Sequence, residues 1–414
     1  MALLLLEITA VLLVTLLCGW IARKLGQRRV IGEIVGGILL GPSLFDRVAP
    51  EAFAYLFPQG SLVSLEVLST VGLIPFVFLI GCQLDLEHLN QQKKTAALAS
   101  GMSVLLPCIM AAAIAPSLRV RFAPNGVGAV PFLLFLGVSM SITAFPVLAR
   151  ILEERGILAS RLGTTALMCA AVDDVGAWIL LAFGLMFVPH SDQAMALGYR
   201  LLSLVLYLFV MLGILFPFGR RFTERVSRRG SAALSHEGLA AIVVGVLASA
   251  AATEAIGVHP LFGAFLAGIC FPRIPQWQTT VRATFDTAVS VALLPFFFIL
   301  TGIRTRLDLL NDRTVWLWSG VVVTVAVAGK MGGAILAARW TGEPWRDALA
   351  LGALLNTRGL VELIVLNIAY DARVFSATLF TMLIAMALIT TMMTVPLLNL
   401  LGIQRSPEGN RDPV

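Results

Sequence analysis

The stretch Ala-Val-Asp-Asp-Val-Gly-Ala-Trp, residues 171–178, places two adjacent carboxylates in the middle of a long apolar run. That run extends from Ile157 to Val188, and its one other charged residue is Arg161, near its start. A carboxylate at the centre of a membrane helix costs about 2.5–3.5 kcal/mol on insertion scales, so such residues face a bundle interior or a water-filled cavity. Asp173 and Asp174 therefore indicate an ion or proton path through a bundle of membrane helices.

The composition of the chain indicates the same environment. Of its 414 residues, 58% are hydrophobic and 13% are charged, and the mean hydropathy is +0.90. These values exclude a soluble domain and indicate an all-α polytopic membrane protein embedded in a lipid bilayer. The net charge of +6 is explained by basic cytoplasmic loops, so we expect no nucleic-acid partner.

Apolar windows of roughly 20 residues, the length needed to cross a bilayer, predict about thirteen transmembrane helices. The second and the ninth of these spans are short and contain Gly and Pro. We place the spans near residues 4–22, 30–42, 62–83, 95–115, 128–152, 157–188, 199–219, 237–256, 258–272, 283–303, 315–338, 346–370 and 374–401.

The distribution of basic residues between alternate loops predicts the orientation in the membrane. One set of loops, with the C-terminal tail, contains Arg23, Lys24, Arg28, Arg29, Lys93, Lys94, Arg150, Arg155, Arg161, Arg220, Arg221, Arg225, Arg228, Arg229, Arg273, Arg282, Arg339, Arg346, Arg405 and Arg411. The opposite loops contain Arg47, Arg119, Arg121, Arg200, Arg304, Arg306, Arg313 and Arg373. By the positive-inside rule, the N-terminus lies outside and the C-terminus lies in the cytoplasm, with the protein in the cell's inner (plasma) membrane. Of the 30 basic residues, Lys330 and Arg358 are the two assigned to neither set of loops, and we expect them inside the membrane.

The sequence contains a weak internal repeat. Residues 73–81, Leu-Ile-Pro-Phe-Val-Phe-Leu-Ile-Gly, resemble residues 293–302, Leu-Leu-Pro-Phe-Phe-Phe-Ile-Leu-Thr-Gly, and Leu-Asp-Leu follows each of them, at 84–86 and at 307–309. Because seven predicted spans separate the counterparts, the two halves have opposite orientations in the membrane. Inverted repeats are the architecture of secondary transporters, whose binding site lies where the halves meet near the bilayer midplane.

This repeat defines the expected domain organisation. We predict a single transmembrane transporter domain at residues 1–401, with repeat one at about 4–188, a linking helix at about 199–219 and repeat two at about 237–401. Residues 402–414 are expected to form a short cytoplasmic tail.

Two of the predicted spans contain polar interruptions at membrane depth. In the fifth span, Ser-Met-Ser-Ile-Thr-Ala-Phe-Pro at 139–146 combines a proline with three hydroxyl side chains. Pro146 removes a helix hydrogen bond, so we expect the backbone carbonyls near Ser141 to Thr143 to be available to a cation. In the twelfth span, Asn-Thr-Arg-Gly at 356–359 forms a second break, which is tolerated where protein or a wet cavity satisfies the backbone.

The charged residues in these spans allow a structural and a functional interpretation. Asp173 and Asp174 can belong to a buried structural ion pair, with Lys330 as the partner of one of them, because a buried charge must be paired, hydrated or neutralised. Arg358 and Glu362 can form a structural i,i+4 pair, or Arg358 can neutralise helix ends where the two breaks cross.

Other residues are weaker candidates. Glu33, in the second span, is a candidate for a role in transport, and the glycines around it permit close helix contact. The four histidines lie near loops or span ends without shared spacing, and the five cysteines form no CxxC motif, so we expect no metal cofactor and no other cofactor. The chain also lacks a nucleophile with a partnered base, so we do not expect an enzyme.

Five stretches spread over most of the chain resemble a known family. They are Ile31–Ser43 (IGEIVGGILLGPS), Ser141–Leu152 (SITAFPVLARIL), Val172–Trp178 (VDDVGAW), Gly329–Gly333 (GKMGG) and Asn356–Leu366 (NTRGLVELIVL). In this order they resemble the monovalent cation:proton antiporter superfamily, specifically its second branch, which includes bacterial sodium/proton and Kef-type potassium/proton antiporters and plant cation/proton exchangers. The resemblance implies two inverted-topology repeats with crossed broken helices, the NhaA-like antiporter fold, and a homodimer.

The resemblance also implies roles for individual residues. In similar antiporters with two adjacent aspartates, the second is the main cation ligand and the first pairs with a lysine. Carried over, Asp174 is the principal ligand, Asp173 and Lys330 are the proton-sensitive pair, and Thr143 offers its backbone carbonyl or its hydroxyl at the broken helix. The supporting candidates are Ser141, Arg358, Glu362, Asn356 and Glu33.

Together these features predict a secondary active antiporter that exchanges a monovalent cation for protons. Na⁺ is the first expectation, and the alternatives are a K⁺/H⁺ exchanger and, with less support, a cation-coupled symporter of an organic anion. A channel is disfavoured because the chain has no filter-like repeat of carbonyl-donating residues. A core that carries the fifth and twelfth spans is expected to move against a scaffold that contains the second and ninth, which gives alternating access.

Overall fold

The computed structural model describes residues 2–24, 29–58, 61–83, 93–158, 160–187, 197–229, 234–289 and 293–403. Within these ranges the chain is helical, with short connections and no strand. Of the predicted tail at 402–414, Gly402 and Ile403 fall inside the described residues and the rest lies outside them.

The helices follow one another along the described chain. In its first half they are α1 (Ala2–Lys24), α2 (Arg29–Leu40), α3 (Phe45–Val48), α4 (Pro50–Leu56), α5 (Ser61–Gln83), α6 (Lys93–Phe122), α7 (Ala129–Ser141), α8 (Phe145–Glu154) and α9 (Arg161–Met186). In its second half they are α10 (Leu197–Leu208), α11 (Phe216–Arg229), α12 (His236–Ile256), α13 (Pro260–Cys270), α14 (Pro275–Ala288), α15 (Leu294–Arg304), α16 (Arg313–Trp340), α17 (Trp345–Leu355), α18 (Leu360–Asp371) and α19 (Ala377–Leu400). A π-helical segment, Phe209–Leu215, joins α10 to α11, and a 3-10 helix, Leu307–Asn311, precedes α16.

Capping side chains determine where several of the long apolar helices begin. The caps are Ser160 for α9, Asp312 for α16 and Ser376 for α19, and each side chain accepts a hydrogen bond from a backbone amide of the first turn. These amides have no partner inside the helix, so a cap stabilises the chosen start.

Within the described residues, eight helices are long and apolar enough to cross a bilayer, and α17 with α18, a pair bent by 43° at its break, counts as a ninth. The shorter apolar helices include α7 and α13. The chain is therefore a multi-pass membrane protein. The count of about thirteen transmembrane helices, which rests on apolar windows of the length that crosses a bilayer, stays a prediction.

Two compact units divide the chain, and each is built from one segment of either half of the sequence. The first unit comprises Met1–Asp85 and Pro189–Arg306, and the second comprises Leu86–Val188 and Leu307–Val414. The first unit therefore contains α1–α5 and α10–α15, and the second contains α6–α9 and α16–α19. Both predicted repeats thus contribute to both units.

In the first unit, two pairs of glycines let helices approach each other closely. Gly37 of α2 faces Gly302 of α15, and a Cβ at Gly37 would lie 2.3 Å from the carbonyl oxygen of Ile299. Gly81 of α5 faces Gly268 of α13, and a Cβ at Gly268 would lie 2.8 Å from the Cα of Gly81. The first contact joins the second and tenth predicted spans, and the second joins the ninth and third. Because the repeat relates the second span to the ninth and the third to the tenth, the two contacts are equivalent under the predicted inverted repeat.

In the second unit, α6 and α16 also pack with little space between their backbones. A Cβ at Gly329 would lie 2.7 Å from the Cα of Pro107, and one at Gly333 would lie 2.2 Å from the carbonyl oxygen of Met102. This contact sets the middle of α16, which carries Lys330, against the middle of α6. Buried Ala and Leu side chains of α8, α9, α16, α17 and α19 form a hydrophobic core in the same unit.

Two broken spans cross in the second unit, and their breaks are in contact. Residues 142–144 separate α7 from α8, and residues 356–359 separate α17 from α18. The amide of Ala144 donates a hydrogen bond of 2.9 Å to the carbonyl oxygen of Thr357. The predicted crossing of two broken helices is therefore confirmed. Pro146 lies in the first turn of α8, where a missing amide costs no helix hydrogen bond, rather than inside the break.

Candidate functional site

Asp173, on the buried face of α9, accepts hydrogen bonds from two other helices and from the first break. Lys330 Nζ of α16 lies 2.6 Å from Asp173 Oδ2. Ser100 of α6 donates to Oδ1 at 2.7 Å, and the hydroxyl of Ser103, on the same helix, lies 3.4 Å from Oδ2. The hydroxyl of Thr143 lies 2.8 Å from Oδ2. Both carboxylate oxygens are therefore engaged, as a buried ion pair requires.

Asp174 is the next residue of α9, but its surroundings are different. Its side chain is fully buried, and neither carboxylate oxygen has a hydrogen-bond partner within the described part of the chain. Adjacent residues lie about 100° apart around a helix, so the two carboxylates leave α9 in different directions. A buried carboxylate without a partner is stabilised by a proton or by a cation. Asp173 is thus fully paired, whereas Asp174 has no side-chain partner in the described ranges.

Arg358, in the break between α17 and α18, caps the end of α7. Its Nη1 donates to the carbonyl oxygens of Ser139 and Ile142, at 2.8 and 3.2 Å. Its Nη2 donates to the carbonyl oxygen of Met140 at 2.7 Å. The last carbonyls of a helix have no partner inside it and carry partial negative charge. Arg358 therefore neutralises a helix end at the crossing, one of the two roles considered for it.

The predicted availability of backbone carbonyls at the first break is wrong for Ser141 and Ile142. Lys330 Nζ donates to the carbonyl oxygen of Ser141, and Arg358 donates to that of Ile142. Two buried cationic side chains need acceptors, and the partial negative charge at the end of α7 supplies them. The hydroxyl of Ser141 donates to the carbonyl oxygen of Val138 at 3.1 Å and so stays within its own helix.

Thr143 connects α9 to the end of α17. Besides its contact with Asp173, its hydroxyl lies 2.9 Å from the carbonyl oxygen of Leu355, and its single proton serves one of the two acceptors at a time. Asn356 follows Leu355 as the C-cap residue of α17. Its side chain is fully buried, and neither atom of its amide group has a hydrogen-bond partner in the described ranges.

The remaining predicted residues form i,i+4 ion pairs. Glu362 Oε2 lies 3.7 Å from Arg358 Nη1, and both side chains are fully buried. Glu33, on α2, belongs to the first unit, where its Oε1 lies 2.7 Å from Arg29 Nε. The second unit thus contains Asp173, Asp174, Lys330, Thr143, Ser141, Arg358, Glu362 and Asn356.

Sequence reasoning misses Ser100 and Ser103, although a signal is present. The two serines lie at either end of Ser-Gly-Met-Ser, residues 100–103, within the apolar α6. Side chains three positions apart share one face of a helix, so this pair indicates a polar contact with a neighbouring helix.

A multi-pass helical bundle with crossed broken helices, and with buried carboxylates and a lysine at the crossing, is the arrangement of a secondary transporter. The family described as "Sodium/hydrogen exchanger, transmembrane" matches residues 12–400, and the chain belongs to this family. Its fold is similar to that of the sodium proton antiporter MjNhaP1 from Methanocaldococcus jannaschii, with a TM-score of 0.61 over 98% of this chain and 99% of that one, at 14% identity. The predicted antiporter fold is therefore confirmed.

Relatives of known name support the same family. The Na(+)/H(+) antiporter NhaS4 from Synechocystis is 39% identical over 386 residues, which cover 92% of either chain. Cation/H(+) antiporter 17 from Arabidopsis thaliana is 38% identical over 95% of this chain, and K(+)/H(+) antiporter 1 from Saccharomyces cerevisiae is 30% identical over 94%. The chain spans 48% of the length of that plant relative and 44% of the yeast one. The resemblance to monovalent cation:proton antiporters is confirmed.

Proposed function

We propose that the chain is a secondary active antiporter that exchanges a monovalent cation for protons across the membrane. The observation that carries this proposal is the state of Asp174, a fully buried carboxylate to which no side chain of the described residues donates a hydrogen bond, beside the fully paired Asp173. Because either a proton or a cation stabilises such a carboxylate, binding of one ion excludes the other. Exchange at a shared site follows from this competition.

The ion pair next to Asp174 sets the charge of the site. Lys330 neutralises Asp173, and the hydroxyls of Ser100 and Thr143 hold that carboxylate in place. The negative charge left for the transported ion is therefore that of Asp174. When a proton binds Asp173, Lys330 loses its counter-charge, and the field at Asp174 becomes more positive, which favours release of the cation.

Na⁺ is the ion that we expect first, with K⁺ as the alternative. The relative from Synechocystis is named a Na(+)/H(+) antiporter and the relative from yeast a K(+)/H(+) antiporter, so the names support both ions. Alkali cations bind through oxygen ligands, which the carboxylate of Asp174 supplies. Exchange of either ion for protons would serve pH homeostasis.

Alternating access is the transport mechanism that the location of the site supports. All the proposed ligands lie within the second unit, so movement of this unit carries the ion together with its ligands. An uncompensated carboxylate is costly inside the membrane, so the unit crosses when Asp174 holds a proton or a cation.

The proposal extends to the cellular arrangement. We place residues 1–401, as a single transporter domain, in the inner (plasma) membrane as a homodimer. The uneven distribution of Arg and Lys among the loops supports an external N-terminus and a cytoplasmic C-terminus.

Asp174→Asn tests the proposed function. In everted membrane vesicles with a preset pH gradient, addition of Na⁺ or K⁺ should dissipate the gradient with the wild-type protein. The variant should show no dissipation above that of vesicles without the protein, because an amide neither binds a proton at this pH nor offers a charge to the cation. Asp312→Asn, at the exposed cap of α16, is the matched control and should exchange at the wild-type rate, since Asn also caps a helix. Wild-type exchange by Asp174→Asn contradicts the assignment.

A further inference from the structure

Asn356 is a buried amide at the helix crossing without a hydrogen bond. It ends α17, its exposed fraction is 0%, and both Oδ1 and Nδ2 lack a partner within the described residues. Leaving a buried amide unpaired is unfavourable, and each such group calls for an explanation. At a transport site, a ligand that binds during part of the cycle is one such explanation.

The backbone carbonyl oxygens at the end of α7 are already hydrogen-bonded. A cation deep in a membrane protein needs oxygen ligands in place of its hydration shell. The four carbonyls of residues 139–142 already accept hydrogen bonds from Arg358 or from Lys330. The ligands of a transported ion therefore come from elsewhere at the crossing.

The side chains of the second unit offer three oxygen-bearing groups. Among its described residues, the buried side-chain oxygens without a hydrogen bond belong to Asp174, Asn356 and Glu362. Glu362 forms an ion pair with Arg358 at 3.7 Å, so its charge is already compensated. Asp174 and Asn356 are left as the groups without a side-chain partner among the described residues.

Thr143 contacts the residue that precedes each of these two groups in the chain. Its hydroxyl lies 2.8 Å from Asp173 Oδ2 on one side and 2.9 Å from the carbonyl oxygen of Leu355 on the other. Asp174 directly follows Asp173, and Asn356 directly follows Leu355. Asp174 and Asn356 are therefore each adjacent in sequence to a residue that Thr143 contacts.

We infer that the side-chain oxygen of Asn356 is a ligand of the transported cation, together with the carboxylate of Asp174. The inference rests on the proposed function, since it assigns a second ligand to the same site. An amide oxygen adds a ligand without adding charge, so the single charge of the ion is balanced by Asp174. Loss of this oxygen weakens cation binding and leaves a proton free to bind Asp174.

Asn356→Ala in the full chain, purified and reconstituted into proteoliposomes, tests the inference. The apparent KM for Na⁺ and for K⁺ should rise about tenfold or more, as expected for the loss of one good polar contact to a charged ligand. The matched control is Asn367→Ala, which removes a buried amide of α18 that donates to the carbonyl oxygen of Leu363 at 2.9 Å. This control should keep the wild-type KM.

A second measurement separates binding from turnover. Cations that bind the folded protein raise its midpoint of thermal unfolding. In detergent, Na⁺ or K⁺ should raise the Tm of the wild type and of Asn367→Ala, and should raise that of Asn356→Ala much less at the same concentration.

The possible outcomes distinguish the inference from the proposed function. A folded Asn356→Ala protein with wild-type KM and a wild-type cation effect on Tm overturns the inference, whereas the proposed function still stands if Asp174→Asn is inactive. If Asn356→Ala does not fold, Asn356→Ser is measured instead. Its shorter side chain should also raise the KM for the cation, and a wild-type KM for Asn356→Ser overturns the inference. Absence of exchange by the wild-type protein contradicts the proposed function itself.

Discussion

At the scale of single residues, the different surroundings of Asp173 and Asp174 originate in the geometry of α9. The two side chains leave the helix about 100° apart, so the donors of α6 and α16 reach Asp173, whereas no side chain of the described residues donates to Asp174. Two residues of the same chemistry therefore have separate tasks. In the proposed exchange, Asp173 pairs with Lys330, and Asp174 binds the proton or the cation in turn.

Lys330→Ala should change the dependence of exchange on pH. The variant removes the positive charge 2.6 Å from Asp173, so protons compete better with the cation at the negatively charged cluster. We expect the pH of half-maximal exchange to rise by about 1–3 units, the effect of one nearby opposite charge. Dissipation of a preset pH gradient, measured across a pH series with Na⁺ and with K⁺, gives this value.

The control for this substitution is Lys330→Arg, which keeps the charge and should show a smaller shift than Lys330→Ala. Identical pH profiles for Lys330→Ala and the wild type would rule out this role of Lys330.

The sequence predicts the costly charges at the site better than their neutral partners. A carboxylate or lysine in an apolar run is conspicuous, so Asp173, Asp174 and Lys330 are found directly. Ser100 is not conspicuous, because a serine in a membrane helix commonly bonds to a carbonyl of its own helix. The packing of α6 against α9 decides that its hydroxyl reaches Asp173 instead.

At the scale of helices, the broken spans show why an arginine lies inside the membrane. The break after α7 exposes a helix end whose carbonyls carry partial negative charge in an apolar surrounding. Arg358, from the opposite break, donates to three of these carbonyls. The breaks themselves follow from polar and proline-containing interruptions of apolar runs. The hydrogen-bond partner of each carbonyl cannot be predicted from these interruptions, because it depends on how the two breaks meet in space.

Arg358→Met should destabilise the protein by about 3–5 kcal/mol, the cost of removing one partner from a buried charged network. It leaves three carbonyls at the end of α7, those of Ser139, Met140 and the C-cap residue Ile142, without donors from Arg358, and Glu362 without its counter-charge. Arg358→Lys should recover part of the stability, since it keeps the charge and loses the planar arrangement of donors. Thermal unfolding in detergent measures both.

The control for this substitution is Arg346→Met, which removes two hydrogen bonds of 2.9 Å from an exposed arginine to the carbonyls of Leu401 and Gly402. It should change the Tm little, because water replaces the lost donors. A Tm equally lowered by both substitutions, or unchanged in Arg358→Met, is inconsistent with a helix-capping role of Arg358.

At the scale of the whole molecule, the chain passes twice through each of its two units. Its segments alternate between them, with the first and third in one unit and the second and fourth in the other. The inverted repeat in the sequence predicts two related halves, but the units are not these halves, since each unit combines a part of both. That exchange of segments cannot be read from the apolar pattern, because it depends on which helices pack together. It places Asp173, Asp174 and both broken spans in a single unit.

A disulfide within the second unit should leave transport intact if this unit moves as one body. A Cβ at Gly137, on α7, would lie 3.8 Å from the Cβ of Cys108, on α6, a separation of about 3.8 Å being typical of disulfides. Gly137→Cys should therefore form a bond with the native Cys108 under mild oxidation, detected as a linked peptide by mass spectrometry. Exchange by the oxidised protein should match that of the same protein after reduction.

The matched control for this crosslink is Gly137→Ser, which adds a side chain of similar size that cannot form the bond. If Gly137→Ser and reduced Gly137→Cys exchange alike, any effect of oxidation belongs to the disulfide and not to the added volume. Loss of exchange on oxidation, with recovery on reduction, would mean that α7 shifts against α6 during the cycle. The break after α7, which contains Thr143, would then move within the unit, and transport would work by rearranging the site instead of carrying it whole.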